Sequence, residues 1–351
     1  MRILVTGGSG FIGSALVRRL IGETEHRVLN LDKLTYAANP ASLAAVAGHP
    51  RYAFRRVDLC EGEAVATAVR EFLPDGVIHL AAESHVDRSI VGPEVFLRTN
   101  VGGTHALLEA IRRYLAESGG GNGGFRLLHV STDEVYGDLG EGDPPVAEGA
   151  AYAPHSPYAA SKAASDHLVR AWAHTYGIPA MITQSSNTYG PRQFPEKLVP
   201  HMILRAIFGK SLPVYGDGRQ IRDWLHVEDH VDALLAVFGR GRIGESYHLG
   251  GGCERRNLAL VESLAGWLDE LASDRRPGGV ASFRDRIERV ADRPGHDRRY
   301  ALDTAKIRAE LGWRPTRPLD EGLGETVRWY LDHPDWWRTI LSGDYRLERP
   351  R

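Results

Sequence analysis

Gly7-Gly8-Ser9-Gly10-Phe11-Ile12-Gly13 decides the fold of this chain. An apolar run, Arg2-Ile3-Leu4-Val5-Thr6, precedes it, and a helical pattern over 11–20 follows. Strand, glycine turn and helix in that order make a grip for a dinucleotide. Gly7 suits the tight turn, Gly10 leaves the backbone open to a pyrophosphate, and Gly13 lets the helix lie close to the strand. The helix N-terminus adds free N–H groups and the positive end of its dipole. The spacing, G-x-x-G-x-x-G, departs from the commoner G-x-G-x-x-G, and alone it is equally compatible with a plain surface loop. Asp32 adds weight. It closes the next strand, predicted over 27–31, where an acidic residue meets the adenosine ribose. Its carboxylate accepts from ribose hydroxyls and repels a 2′-phosphate, which favours NAD over NADP. The adjacent Lys33 works against that preference, and an ordinary turn aspartate is the alternative.

Bulk properties narrow the classes. The 351 residues allow one large domain or two, and a hydrophobic fraction of 42% fills a packed core. A net charge of −2 implies no broad basic face, so nucleic-acid binding gains no support. The N-terminus enters a core strand directly, which predicts no signal peptide. No apolar run approaches the length of a membrane span. Cys60 and Cys253 lie far apart; they make neither a metal cluster nor a disulfide framework and point to a reducing cytoplasm.

The first half alternates strand patterns (2–6, 27–31, 52–57, 76–80, 126–131, 180–183) with helical ones (11–20, 63–72, 95–115, 156–176). Such alternation predicts an α/β fold, a Rossmann-type doubly wound parallel sheet with helices on both faces. Ligands bind such sheets outside the carboxyl ends of the strands. The run 118–124 is glycine-rich and reads as a surface connection. Regularity drops after Asn187, where proline-bearing loops alternate with short apolar pieces. The expected division is an NAD-binding domain over 1–187, with 226–240 returning to it as a helix. A smaller, irregular, discontinuous substrate-binding lobe takes 188–351. The charged tail beyond about 344 reads as loosely held.

Tyr158 and Lys162 are four apart in a helical segment and share a face. A nearby ammonium favours the phenolate, so Lys162 is expected to lower the Tyr158 pKa toward working pH. A tyrosine so tuned can take the hydroxyl proton of an alcohol undergoing oxidation. Alone, such a pair is more often an exposed part of an amphipathic helix; downstream of a dinucleotide site the catalytic reading wins.

Taken together, Gly7 to Gly13, Asp32, Asp58-Leu59, Leu80-Ala81-Ala82, Asn100-Val101-x-Gly103-Thr104 and Tyr158-x-x-x-Lys162 resemble the extended short-chain dehydrogenase/reductase family over essentially the whole chain. The resemblance implies a nucleotide-sugar substrate and NAD. The cofactor would be held by Gly7, Gly10, Phe11, Ile12, Gly13, Asp32, Lys33, Thr35, Asp58, Leu59, Leu80, Ala81, Ala82, Thr99, Tyr158 and Lys162. It also implies a homodimer through a helix bundle, for which 95–115 and 156–176 are candidate faces, each equally compatible with burial within one chain.

Ser131-Thr132-Asp133-Glu134-Val135-Tyr136-Gly137 narrows the family. It lies just past a predicted strand, and two adjacent carboxyls suit acid–base work beyond alcohol oxidation. An acid protonating a departing hydroxyl and a base removing a carbon-bound proton together make an elimination. Two acids in a solvated loop are the bland alternative. Thr-Asp-Glu here is similar to the branch of the family that dehydrates dTDP-glucose. The stretches 83–89, Phe194-Pro195-Glu196-Lys197-Leu198, 220–224 and Asp292-Arg293-Pro294-Gly295-His296-Asp297 resemble it too. That resemblance assigns Thr132, Asp133, Glu134, Tyr158 and Lys162 to catalysis. It assigns Ser84, Asn187, Lys197, Leu198, Pro213, Tyr215, Arg222, Asn257 and His296 to the nucleotide sugar. Lys197 and Arg222 have the charge a diphosphate needs. Thr188 stands where the family commonly has a second asparagine, which puts one contact near the nicotinamide in question. The rival readings are a nucleotide-sugar 4-epimerase, a dehydratase of another nucleotide sugar, and a non-catalytic NAD-binding regulator.

Overall fold

The computed structural model describes residues 1–117, 124–343, 345 and 347. The predicted surface connection at 118–124 lies outside the described residues except for Gly124, as does most of the tail from 344. The strands are β1 Arg2–Thr6, β2 Arg27–Asp32, β3 Tyr52–Arg56, β4 Gly76–His79, β5 Arg126–Thr132, β6 Ala180–Ser185, β7 Asn187–Tyr189, β8 Leu212–Tyr215, β9 Ile221–His226, β10 Ser246–Leu249, β11 Glu254–Arg256 and β12 Ile287–Val290. Seven of them form one parallel sheet in the order β10-β6-β5-β4-β1-β2-β3. The chain runs outward from β1 to β3, then crosses back to β4 and builds the other side. The crevice where that order reverses opens at the carboxyl ends of β1 and β4, the place where such sheets bind ligands.

The sheet is buried on both faces, so its strands read as apolar runs. Successive side chains of β1 point to opposite faces. Ile3 and Val5 join a core with helix residues Leu16, Leu20, Val231, Leu234 and Val237; Leu4 joins another with Val65, Val69, Leu107 and Ile111. The helix Val227–Arg240 therefore packs on the main sheet. The chain's return continues past it: β10 becomes the seventh strand beside β6, and Ile307 and Leu311 of the helix Ala305–Leu311 join the same core.

The helix predicted over 95–115 is interrupted. A wide π turn, Leu97–Gly103, separates Glu94–Phe96 from Thr104–Glu117. Insertions of this kind re-aim side chains at functional sites. Here Asn100 is turned inward: its Oδ1 accepts from the Glu83 N–H at 2.9 Å, and its Nδ2 donates to the Glu83 carbonyl at 3.0 Å and to Ser161 Oγ at 2.8 Å.

The second lobe is more regular than its sequence suggested. It carries two small sheets, β11-β9-β7 and β12-β8. The helices Leu198–Ile207, Asn257–Leu271 and Leu319–Asp332 close a separate core of Val199, Ile203, Leu260, Leu264, Leu268, Leu323, Val327 and Tyr330. The lobe stands beside the carboxyl edge of the main sheet, because β6 leads into β7 through a single residue, Ser186.

Candidate active site

Gly7 takes φ +71°, and a Cβ there would stand 2.7 Å from the backbone of Ala81. A Cβ on Gly13 would strike the Gly7 carbonyl. Gly10 differs: nothing lies within 3.4 Å of where its Cβ would be, so packing alone does not demand a glycine. It lines the cavity over β1 and β4 and caps the helix Phe11–Glu23 without any side-chain cap. The first-turn N–H groups are thus left for an anionic ligand. Asp32 Oδ2 accepts from the Ser9 N–H at 2.9 Å and Oδ1 from the Leu34 N–H at 2.8 Å. Burial pushes its carboxyl up, and those two N–H groups pull it back. Lys33 is drawn away from Asp32: its Nζ donates to Thr99 Oγ1 at 3.0 Å, 3.5 Å from Glu83 and 4.0 Å from Asp58. Every residue assigned to NAD from the sequence lines this one cavity. An uncapped helix start, a glycine with free space and a ribose-type carboxylate fit a dinucleotide.

The acid pair follows β5 in a short 3₁₀ turn, Asp133–Tyr136, capped by Thr132, whose Oγ1 accepts from the Glu134 N–H at 3.3 Å. The same hydroxyl donates to Asp133 Oδ1 at 3.2 Å. The other Asp133 oxygen is buried with no partner. Burial, then the neighbouring Glu134, push the Asp133 carboxyl well up. Burial also raises Glu134, against which Arg293, Arg222 and Lys197 pull. Burial raises both carboxyls, Asp133 further because Glu134 adjoins it, and the three cations gathered on Glu134 make it the readier of the two to ionise.

Tyr158 and Lys162 are buried on the helix Pro157–Tyr176, beneath the acid pair. The expected lowering of the tyrosine is not what the protein alone provides. Burial, then Glu134, push the Tyr158 phenol up, and a hydrogen bond with Thr132 opposes them. The reason is geometric: the Lys162 ammonium turns to the Val130 carbonyl, which it reaches at 2.8 Å.

A second cavity adjoins the first, and Ser84, Glu134, Asn187, Glu196 and Lys197 line both. The residues assigned to the nucleotide sugar all line this second cavity. They come from many elements: Asn187 from β7, Leu198 from a helix start, Pro213 and Tyr215 from β8, Arg222 from β9, Asn257 from another helix start, and His296 from the loop after β12. Lys197 donates to the Ser84 carbonyl at 2.7 Å. Arg222 donates to the Ile221 and Asp297 carbonyls and lies 4.2 Å over the Tyr300 ring, so what it offers the cavity is chiefly charge. Burial pushes His296 down to about 4, and its Nδ1 is 2.6 Å from Asp292 Oδ1. The Asn257 side-chain oxygen is buried without a partner. Thr188 lines the cofactor cavity while its hydroxyl pairs with His230 Nδ1 at 2.8 Å.

Some site residues were not singled out from sequence. Asp87 accepts from the Tyr215 hydroxyl at 2.6 Å and from Arg293 at 3.0 Å. Glu196 accepts from Arg88 at 2.8 Å and from the Tyr36 hydroxyl at 3.0 Å. Each lies in a stretch that resembled the family, so the strings were visible while the partners across them were not. Among the described residues no cluster of metal-ligating side chains occurs, and no helix is long and apolar enough to cross a membrane.

The parallel sheet, glycine turn and Tyr158–Lys162 helix define a dinucleotide-dependent enzyme of the short-chain dehydrogenase/reductase type. The family model described as GDP-mannose 4,6 dehydratase matches residues 4–326. A dTDP-glucose 4,6-dehydratase of Neisseria meningitidis serogroup B is 56% identical, with 99% of this chain and 98% of that protein covered. One from Escherichia coli is 52% identical, covering 99% of each. The crystal structure of a dTDP-glucose 4,6-dehydratase from Streptomyces venezuelae, solved with NAD bound, superposes with a TM-score of 0.87 at 44% identity and covers 97% of this chain and 100% of that one. The chain belongs to the dTDP-glucose 4,6-dehydratase family.

Proposed function

We infer that the chain converts dTDP-glucose to dTDP-4-keto-6-deoxyglucose and water, with NAD as a cofactor regenerated in each turnover. The observation that carries this reading is the Asp133–Glu134 pair, set at the end of β5 with Glu134 where the two cavities meet. NAD, when bound, takes the hydrogen and its electron pair from carbon 4 and gives them back at carbon 6. Tyr158 accepts the carbon-4 hydroxyl proton as its phenolate, the form a neighbouring ammonium favours, Thr132 orients that oxygen, and Lys162 would hold the nicotinamide ribose. The carbonyl made at carbon 4 acidifies the carbon-5 proton. Glu134, raised by burial but pulled back toward its anion by Arg293, Arg222 and Lys197, removes that proton and returns one to carbon 5 as carbon 6 is reduced. Asp133, kept neutral by burial and by Glu134, protonates the carbon-6 hydroxyl as it leaves. Lys197 and the charge of Arg222 meet the diphosphate, and Ser84, Asn187, Leu198, Pro213, Tyr215, Asn257 and His296 surround the rest of the nucleotide. In this reading 1–187 with the returning segment holds NAD, and 188–351 mainly holds the nucleotide sugar.

Incubation of the purified protein with dTDP-glucose and no added NAD should yield the 4-keto-6-deoxy product over many turnovers. Formation of dTDP-galactose would identify an epimerase, and absence of turnover by NAD-loaded protein a regulator.

The chain acts as a homodimer in the cytoplasm. Its two cysteines are free thiols, as suits a reducing compartment. Val91, Val95, Leu97 and Tyr176 are 60%, 44%, 53% and 51% exposed along or beside the two helices proposed to pair. Exposed apolar side chains along these helices support that pairing. Leu97→Glu should leave a monomer in sedimentation velocity, and an unaltered dimer would remove this face from the interface.

A further inference from the structure

Beneath the tyrosine–lysine helix lies a buried polar cluster that the reaction above does not use. Tyr158, Lys162 and Asp166 follow one another at i, i+4 and i+8, so they line one face of the helix. Asp166 is 0% exposed. Its Oδ2 accepts from the Tyr152 hydroxyl at 2.7 Å and from Gln184 Nε2 at 3.1 Å, and its Oδ1 lies 3.2 Å from His129 Nε2. Tyr152 and Gln184 carry no charge, and burial holds His129 toward its neutral form, as it does His79, whose ring centre is 5.1 Å away. A carboxylate this far from water needs a counter-charge. Arg170 is one phenol removed, donating to the Tyr152 hydroxyl at 3.0 Å and to Ser246 Oγ at 3.2 Å. Lys162 is one helical turn away and is itself only 4% exposed.

We propose that Asp166 is a positioning residue of the reaction, whose buried carboxylate keeps Lys162 an ammonium, aimed along the Val130 carbonyl beneath Tyr158. The proposal rests on the role given above to Lys162. Burial pulls Lys162 down to about 8, and Asp166 is the charge that resists. Burial pushes Asp166 up, but His129, Lys162 and Tyr152 outweigh it and leave the carboxyl low. The titratable and charged groups facing the pair are Tyr158 and Arg170 on its own helix, His129 on β5, His79 on β4, Tyr136 on the 3₁₀ turn and Tyr152 on the segment before the helix. Of these Arg170 alone is a cation at neutral pH, so nothing else among them supplies Lys162 with a negative charge.

The working form of Lys162 is the ammonium, so activity falls as pH rises through its pKa. Without the Asp166 charge that pKa drops, and the alkaline limb moves to lower pH. An opposite charge within about 4–6 Å shifts a pKa by about one to three units. Lys33, Lys162, Lys197, Lys210 and Lys306 are the only lysines, so their side-chain carbons can be followed individually by NMR in carbon-13-labelled holoenzyme, Lys162 being the resonance lost in Lys162→Arg. Asp166→Asn should lower both the Lys162 midpoint and the alkaline limb of kcat by about one to three pH units, and Asp166→Glu should restore both. A folded Asp166→Asn protein with both unchanged overturns the proposal. Asp166→Ser, whose space admits water, carries the same expectation if the asparagine variant does not fold. The wild-type titration decides without any variant: the proposal requires Lys162 to titrate above neutrality, and a midpoint below it refutes it. Loss of dehydratase activity by wild-type protein would instead overturn the function inferred above and leave the NMR result standing.

Discussion

Asp133→Asn and Glu134→Gln should each oxidise carbon 4 of dTDP-glucose and then stop. Asparagine keeps the size and polarity of Asp133 but has no proton to give the carbon-6 hydroxyl. Glutamine in place of Glu134 cannot remove the carbon-5 proton. Tyr158, Lys162 and the glycine turn are untouched in both, so a single turnover should leave reduced nicotinamide on the enzyme, visible by absorbance. Dehydration should slow by about 10²–10⁴-fold, the usual contribution of a general acid or base. Glu134→Gln should also lose exchange of the carbon-5 proton with deuterated solvent. Asp133 and Glu134 also set the electrostatics of Tyr158, which burial and these two carboxyls push upward. Removing the Glu134 charge should therefore ease, not hinder, the first proton transfer, and removing the neutral Asp133 acid should leave it little changed. Near wild-type dehydration by either variant would remove that residue from the elimination. Failure of both folded variants to reduce nicotinamide would place the pair in oxidation instead.

Tyr158→Phe should act one step earlier. It removes the group that accepts the carbon-4 hydroxyl proton, and oxidation should slow by about 10²–10⁴-fold. No reduced nicotinamide should accumulate, which separates it from the acid-pair variants. Lys162→Ala should slow the same step and also loosen NAD, because the ammonium both steadies the site's charge and reaches the cofactor. Cofactor retained through gel filtration, compared between Lys162→Ala and Tyr158→Phe, divides the two effects. If Tyr158→Phe forms reduced nicotinamide at the wild-type rate, another group is the oxidising base.

The parts legible in sequence were those set by local chain geometry. Gly7 takes a positive φ, and a Cβ there would stand 2.7 Å from the Ala81 backbone; a glycine signals both needs. Asp32 closes β2, and the apolar run before it marks that place in the sequence. Thr132, Asp133 and Glu134 are contiguous, so their grouping required no tertiary knowledge. Four features were hidden because they depend on residues distant in the chain. β10 is four residues long, and only its pairing with β6 makes it a strand. The π turn at Leu97–Gly103 has the apolar pattern of an ordinary helix; what distinguishes it is Asn100 bonding to Glu83 and Ser161. The Tyr158 phenol is governed by burial and by Glu134, neither of which the Tyr158–Lys162 spacing reveals. Arg293 belongs to the same class: 206 residues separate it from Asp87, yet it is the first cation pulling on Glu134.

The central claim is that one enzyme-held cofactor takes hydrogen from carbon 4 and returns it at carbon 6, with Glu134 and Asp133 removing water in between. Turnover of dTDP-glucose carrying deuterium at carbon 4, with the product examined by NMR, tests it most directly. Deuterium should appear at carbon 6 of the 4-keto-6-deoxy product, with a solvent-derived hydrogen at carbon 5 and no net reduced nicotinamide. Loss of the label to solvent, or reduced nicotinamide accumulating in step with product, would contradict it.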